Sequence, residues 1–297
     1  MASLFFSSPL DLDITFKDEQ TRKSIDVKSK SGKVERLPLY HDGESISGTV
    51  TFRVKEGKRV DHSGVKIQLY GSIETINGQR DDFLTLSHDL ALPGELTHSE
   101  TFGFNFKDVE KRFETYRGTN VVVNYSVKVT VLRKSADISK SKKFAVQVYS
   151  NPTDLKKSIK LDIGIENCLH IEFEYSKSTY SLKDVIVGRI NFLLTRLKIK
   201  HMEISLVTRE TVGVQPSQLI ENQTIRYEIM DGSPVKGEVI PIRLFLGGYD
   251  LTPTVKTSMF NVKNYISLVI IDEEGRRYFK QAEIIFFRPK DEEASAA

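Results

Sequence analysis

The chain has 297 residues, 39% hydrophobic and 28% charged, which is enough for two domains that each bury a core. Its 43 basic and 40 acidic residues leave a formal charge of +3, and nucleic-acid binding, which needs a concentrated basic face, has no support. The single cysteine, Cys168, excludes an internal disulfide, and no run approaches the ~20 apolar residues of a membrane span. The opening Met1–Ser8 has neither a basic n-region nor a long apolar stretch, so a cytosolic protein with at most peripheral membrane contact is expected.

Alternation begins at once. Leu10, Leu12, Ile14 and Phe16 interleave with Asp11, Asp13 and Thr15. Ile46, Gly48, Val50, Phe52 and Val54 interleave with Ser47, Thr49, Thr51 and Arg53. Val121, Val123, Tyr125, Val127, Val129 and Val131 share one face, opposite Asn124, Ser126, Lys128 and Thr130. Period two in β-branched and aromatic residues marks half-buried strands. Turn signals separate them at Asp42-Gly43, Gly57-Lys58, Asn77-Gly78, Pro93-Gly94, Asp231-Gly232 and Gly247-Gly248. Helical periodicity is nearly absent, so the fold class is all-β.

The strands recur as a set. Tyr40 is followed by Ile46, Gly48, Val50 and Phe52, and Tyr180 by Ile186, Gly188, Ile190 and Phe192 at the same spacings, 140 residues on. Val65, Ile67 and Leu69 are matched by Met202, Ile204 and Leu206, and Asn124-Tyr125 by Asn264-Tyr265. Ordered matches at a nearly constant shift indicate duplication. Two tandem β-sandwiches of immunoglobulin-like architecture result, because a sheet with one apolar face must stack to hide it. The expected domains are 1–150 and 158–297, joined by a linker at 151–157 where alternation stops. The stretch around Ile229 and Met230 has no evident counterpart in the first half.

Sites for chemistry are sparse. Cys168 and His170 alternate onto one strand face, which reads as packing neighbours more readily than as a catalytic dyad. The six histidines are scattered, without zinc spacing. Asp272-Glu273-Glu274 and Asp81-Asp82 lack the ligand alternation of a calcium loop and read as solvated hairpin tips. No phosphate-cradling glycine loop occurs. The expectation is therefore no catalytic residue, no metal and no cofactor. Basic groupings at Lys55, Lys58 and Arg59, at Lys107, Lys111 and Arg112, and from Lys140 through Lys143 to Lys160 read as solvated loops or as faces toward anionic lipid.

Several runs together carry a resemblance. They include Tyr40–Gly48, Leu90–Thr97, Glu166–Tyr175, Leu182–Gly188, Tyr227–Glu238, Ile240–Leu246 and Asp272–Gln281. The chain resembles the vacuolar protein sorting-associated protein 26 family, the arrestin-like subunit of the retromer coat, over about residues 9 to 288. The resemblance implies two arrestin-like sandwiches and a non-catalytic adaptor on the cytosolic face of endosomes. Its implied partners are an α-solenoid subunit (vacuolar protein sorting-associated protein 35), sorting nexins and the cytosolic tails of transmembrane cargo. It implies docking of the solenoid at Ile229, Met230, Asp231 and Gly232, and of cargo with a sorting nexin around Ile163 and Phe279, beside edge residues Ser158 to Asp162. An arrestin-type adaptor for phosphorylated receptor tails is the alternative, and a β-sandwich enzyme a more distant one, weakened by the absence of tryptophan.

Overall fold

Every regular element among the described residues is a strand, as the period-two pattern requires. The computed structural model describes residues 8–28, 32, 34–153, 157–213 and 218–290. The chain divides into two compact units, Met1–Val148 and Tyr149–Ala297. Residues 154–156 of the expected linker lie outside the described residues.

The first unit contains β1 (Leu10–Phe16), β2 (Ser24–Lys28), β3 (Val34–His41), β4 (Ile46–Val54), β5 (Val60–His62) and β6 (Gly64–Thr75). It continues with β7 (Arg80–Ala91), β8 (Gly94–Leu96), β9 (Glu100–Phe106), β10 (Tyr116–Arg117), β11 (Val121–Leu132) and β12 (Ile138–Gln147). One sheet runs β1-β4-β9; the other runs β2-β3-β12-β11-β6-β7 with β10 added on β11. β5 and β8 form a small ribbon. Phe16, Tyr40, Phe144 and Tyr125 fill the space between the sheets, with Phe16, Tyr40 and Phe144 meeting edge to face at 5.3–5.9 Å.

The second unit contains β13 (Ile159–Ile165), β14 (Leu169–Tyr175), β15 (Thr179–Ser181), β16 (Val185–Thr195) and β17 (Ile199–Val212). It continues with β18 (Gln218–Asp231), β19 (Val239–Phe245), β20 (Val255–Lys256), β21 (Phe260–Asp272) and β22 (Arg277–Phe287). Its sheets run β13-β14-β16-β19 and β15-β22-β21-β17-β18, with β20 on β21. Setting β14-β16-β19 against β1-β4-β9, and β15-β22-β21-β17-β18 against β3-β12-β11-β6-β7, shows the duplication directly.

Residue registers make the match close. Tyr40 pairs in parallel with Val146, and Tyr180 pairs in parallel with Phe286. Gly48 lies opposite Phe16 and Gly188 opposite Tyr175, and a Cβ on either glycine would overlap the neighbouring strand's carbonyl oxygen, of Thr15 or Glu174. Only glycine allows that approach, which is why each tyrosine is followed by a glycine at the same spacing. A further shared device has no motif in the sequence. Thr115 N–H donates to the Val146 carbonyl at 2.9 Å, and its hydroxyl accepts from Val146 N–H at 2.9 Å. Thr254 does the same with Phe286, at 2.9 and 3.0 Å.

One expected match slips by a residue. Tyr125 is buried opposite Phe144 and Gly71, whereas Tyr265 faces outward beneath the Arg209 guanidinium, 4.3 Å from its ring centroid. Asn264 is the buried one, opposite Ile284 and Thr208. Because strand faces alternate every residue, a shift of one exchanges inside for outside. Asn264 therefore stands where Tyr125 stands, and the role goes with the position. The Tyr125 hydroxyl donates to the Phe113 carbonyl at 2.7 Å, and the Asn264 amide donates to the Thr252 carbonyl at 3.3 Å.

Candidate functional site

β18 is the terminal strand of its sheet among the described residues and pairs only with β17. The register passes from Met202 opposite Met230 to Glu203 opposite Glu228, which leaves Ile229 as an extra residue. Such a bulge breaks alternation and re-aims side chains. The consecutive Ile229 and Met230 are consequently both half-buried, and both pack against the second unit's core. Asp231, opposite His201, is exposed. Gly232 turns the chain with a φ of 88°, its N–H donating to the Lys200 carbonyl at 2.7 Å. The four residues singled out in sequence thus form one contiguous bulge and turn at a sheet edge.

This stretch does have a counterpart. In the first unit Val65 lies opposite Ala91 and Lys66 opposite Asp89, leaving Leu90 as the extra residue. Since Val65 occupies the position of Met202, Leu90 and Ala91 occupy those of Ile229 and Met230. The next residue, Leu92, is 81% exposed. The equivalence resides in a residue count between strands, so no likeness of side chains advertises it.

Ile163 and Phe279 differ in what they present. Ile163, on β13 opposite Ile171, is 8% exposed and belongs to the core. Phe279, on β22 opposite Val269, is 57% exposed, with the Arg277 guanidinium 5.5 Å from its ring centroid. Their side chains do not meet in one pocket: one points into the sandwich and the other out of it. Their backbones share a property. β13 is a terminal strand, and β15 covers only Ile285–Phe287 of β22, so the stretch from Arg277 to Glu283 has an open edge among the described residues. β13 passes beside β22. The other end of the four-stranded sheet, β19, carries Pro241 in mid-strand and lacks a donor there, a common guard against unwanted pairing.

Other sequence expectations change with the structure. Cys168 is not on a strand beside His170; it sits in the turn before β14, its N–H donating to the Ile165 carbonyl at 3.0 Å. Asp272 is not part of a solvated tip but a buried carboxylate, accepting from Arg276 N–H at 2.8 Å, from its Nε at 2.7 Å and from the Tyr278 hydroxyl at 3.1 Å. The described residues contain no group of three or more His, Cys, Asp or Glu side chains arranged to hold a metal.

Lys55, Lys58, Arg59 and Lys107 are exposed, as a solvated reading expects, but members of the other basic groupings are paired or buried. Lys140, Lys142 and Lys143 face Asp13, Glu19 and Glu35 at 3.4, 2.7 and 3.6 Å. Arg112 faces Glu110 at 3.6 Å. Lys111 is 0% exposed, its ammonium donating to the carbonyls of His41, Glu44 and Val109 at 3.0, 2.5 and 2.9 Å. Burial pulls its pKa down to about 8, against the opposing pull of Glu44 and Asp42.

Open strand edges and bulged apolar turns are features through which β-sandwiches in general can take up another chain. The family model described as vacuolar protein sorting-associated protein 26 matches residues 6–275. The chain is 46% identical to "Carboxypeptidase Y-deficient protein 8" of Saccharomyces cerevisiae, over 97% of this chain and 100% of that protein. It is 50% identical to "Vacuolar protein sorting-associated protein 26B" of Danio rerio, over 98% of this chain and 90% of the relative. The corresponding figures for "Vacuolar protein sorting-associated protein 26B-B" of Xenopus laevis are 49%, 98% and 88%. The chain belongs to the vacuolar protein sorting-associated protein 26 family, a family of protein-sorting components.

Proposed function

We propose that the chain is a non-catalytic adaptor of the retromer coat, its two sandwiches spanning 1–150 and 158–297 about the linker at 151–157. It binds the α-solenoid subunit, vacuolar protein sorting-associated protein 35, through Ile229, Met230, Asp231 and Gly232. With a sorting nexin it holds cargo tails near Ile163 and Phe279, on the cytosolic face of endosomes, for retrieval to the Golgi or the cell surface. The observation that supports solenoid docking is the bulge of β18, which turns two large apolar side chains together at an unpaired edge and ends them in a fixed turn. Strand addition along the open edges of β13 and β22 is the corresponding support for cargo, with the exposed Phe279 ring available to a peptide side chain.

Ile229→Asp with Met230→Asn tests the first contact. Both residues also pack on the core, so the melting temperature falls, but the transition stays cooperative. Solenoid captured at the wild-type level by the folded double variant would refute the docking assignment. Phe279→Ala tests the second. Its exposure predicts an unchanged melting temperature, with weaker binding of a sorting-motif peptide when the nexin is present; equal peptide binding would count against the assignment.

A further inference from the structure

The outer face of the sheet β2-β3-β12-β11-β6-β7 carries charge that the chain itself does not balance. Lys143 of β12 lies opposite Ser126 of β11, Lys128 of β11 opposite Gln68 of β6, and Lys66 of β6 opposite Thr130 of β11. Each lysine therefore stands one strand over and two residues along from the one before. With strands about 4.8 Å apart and two residues spanning about 6.8 Å, the three form a diagonal with steps of about 8 Å. Lys66 and Lys128 have no hydrogen-bond or ion-pair partner among the described residues, and neither do the side chains of Gln68, Ser126 and Thr130. Two carboxylates border the diagonal. Glu35 is 3.6 Å from Lys143, and Asp89 lies opposite Lys66 without forming an ion pair.

The second unit provides an internal comparison. By the strand registers, Lys143, Lys128 and Lys66 occupy the positions of Glu283, Ser267 and Glu203. There the charges close on one another: Glu203 accepts from Arg226 at 2.5 Å, Glu283 from Lys263 at 2.9 Å, and Glu221 from Arg209 at 2.9 Å. A face already paired gains little from an ionic partner, because each new contact replaces an old one. Unpaired lysines among hydroxyl and amide groups have no such contact to give up. The middle of the first unit's face is also its lower part. Lys128 and Gln68 are half-buried, whereas Ser87 and Ser141 on the strands to either side are exposed. A narrow extended chain reaches such a floor, while a planar layer of lipid headgroups meets the rims first.

We propose that this face takes an extended acidic polypeptide segment that carries carboxylates at alternate residues. Alternate side chains of an extended chain share one side and repeat at about 6.8 Å, and the flexible lysine stems take up the difference from the diagonal step. Lys66, Lys128 and Lys143 then meet successive carboxylates, with Gln68, Ser126 and Thr130 offering hydrogen bonds between them. The contact is separate from the solenoid and cargo contacts proposed above, whose residues all belong to the second unit.

The test is fluorescence anisotropy of a labelled peptide of alternating glutamate and threonine, titrated with the full chain beside an analogue with glutamine for glutamate. The wild type binds the glutamate peptide and not the analogue, and binding weakens several-fold as ionic strength rises from about 0.05 M to about 0.3 M. Lys128→Gln weakens it about threefold. Lys66→Glu with Lys128→Ser, which installs the second unit's residues, weakens it about tenfold or more. Both leave the melting temperature unchanged, since neither lysine has a partner to lose. Lys263→Gln, on the paired face of the second unit, keeps wild-type affinity. Equal binding of the two peptides, wild-type affinity in the double variant, or the same loss in Lys263→Gln would each overturn the proposal. So would a wild type that leaves the peptide free at low salt; capture by phosphatidylserine vesicles, lost in the double variant, would then assign the face to lipid.

Discussion

Replacing Lys111 by methionine tests how the first unit closes around a buried charge. The ammonium spends all three of its protons on the carbonyls of His41, Glu44 and Val109. Hydrogen bonds from a charged donor contribute about 1.5–3 kcal/mol each. Against them stands the cost of burying the charge, which the pKa of about 8 places at about 2–3 kcal/mol once some screening is allowed. Methionine fills similar space but leaves three inward carbonyls without their donor, so with each bond taken at the lower half of its range the net loss is about 2–4 kcal/mol. That corresponds to a fall of about 5–15 °C in the melting temperature of the first unit, read by calorimetry. The pH dependence comes from the direction of the shift. Between about 8 and the ordinary 10.5 the unfolded chain keeps a proton that the folded chain has released, so Lys111 makes the wild type more stable as pH rises through that window. The slope it contributes is at most about 1.4 kcal/mol per pH unit. Lys111→Met loses that slope. Parallel pH profiles for the two proteins, or a melting temperature within about 2 °C at pH 7, would refute the reasoning.

Two further predictions come from setting the units side by side. Tyr175 occupies the position of Phe16, and its fully buried hydroxyl has no hydrogen-bond partner among the described residues, so Tyr175→Phe raises stability by about 1 kcal/mol in urea unfolding; a loss of that size would show that the hydroxyl is satisfied. Gly188→Ala forces a Cβ against the Glu174 carbonyl and costs about 3 kcal/mol or more, whereas Gly103→Ala, with open space around the new methyl, stays near neutral; similar melting curves for both would contradict the close approach.

How much of the molecule was legible depended on whether position or count carried the information. Tyr40 and Tyr180, with their glycines at Gly48 and Gly188, could be read because period two fixes a face and the glycine is required by the close approach of the paired strand's carbonyl. Asn124-Tyr125 and Asn264-Tyr265 look like the same signal, yet the letters coincide one residue out of phase. Position is what the fold keeps: the inward site uses a tyrosine hydroxyl in one unit and an asparagine amide in the other to reach equivalent carbonyls. Lys111 was hidden for a related reason. Its partners are backbone carbonyls, which every residue has, so a lysine in a charged loop looks solvated until the chain closes on it.

The same distinction governs the candidate site. Ile229 and Met230 drew notice as residue types, two large apolar side chains beside a turn, and the structure supplies the cause of their arrangement: one more residue on β18 than on β17. The first unit has the same surplus at Leu90, so a bulge alone does not define a docking loop. The copies part at the exit from the bulged strand. After Ala91 the first unit passes through Leu92 and Pro93 straight into β8, whereas the second runs from Gly232 to Glu238 with repeated hydrogen bonds back to β16 and β17 before β19 begins. Duplication provided both units with an irregular edge, and only the second added a fixed loop to it. If that loop is where specificity lies, moving the segment Asp231–Glu238 onto the exit of β7 should carry solenoid binding with it. Retaining the bulge while shortening the loop in the second unit should abolish that binding. A chimera that stays folded without acquiring binding, tested beside the shortened second unit still binding at wild-type affinity, would place the recognition elsewhere on β18.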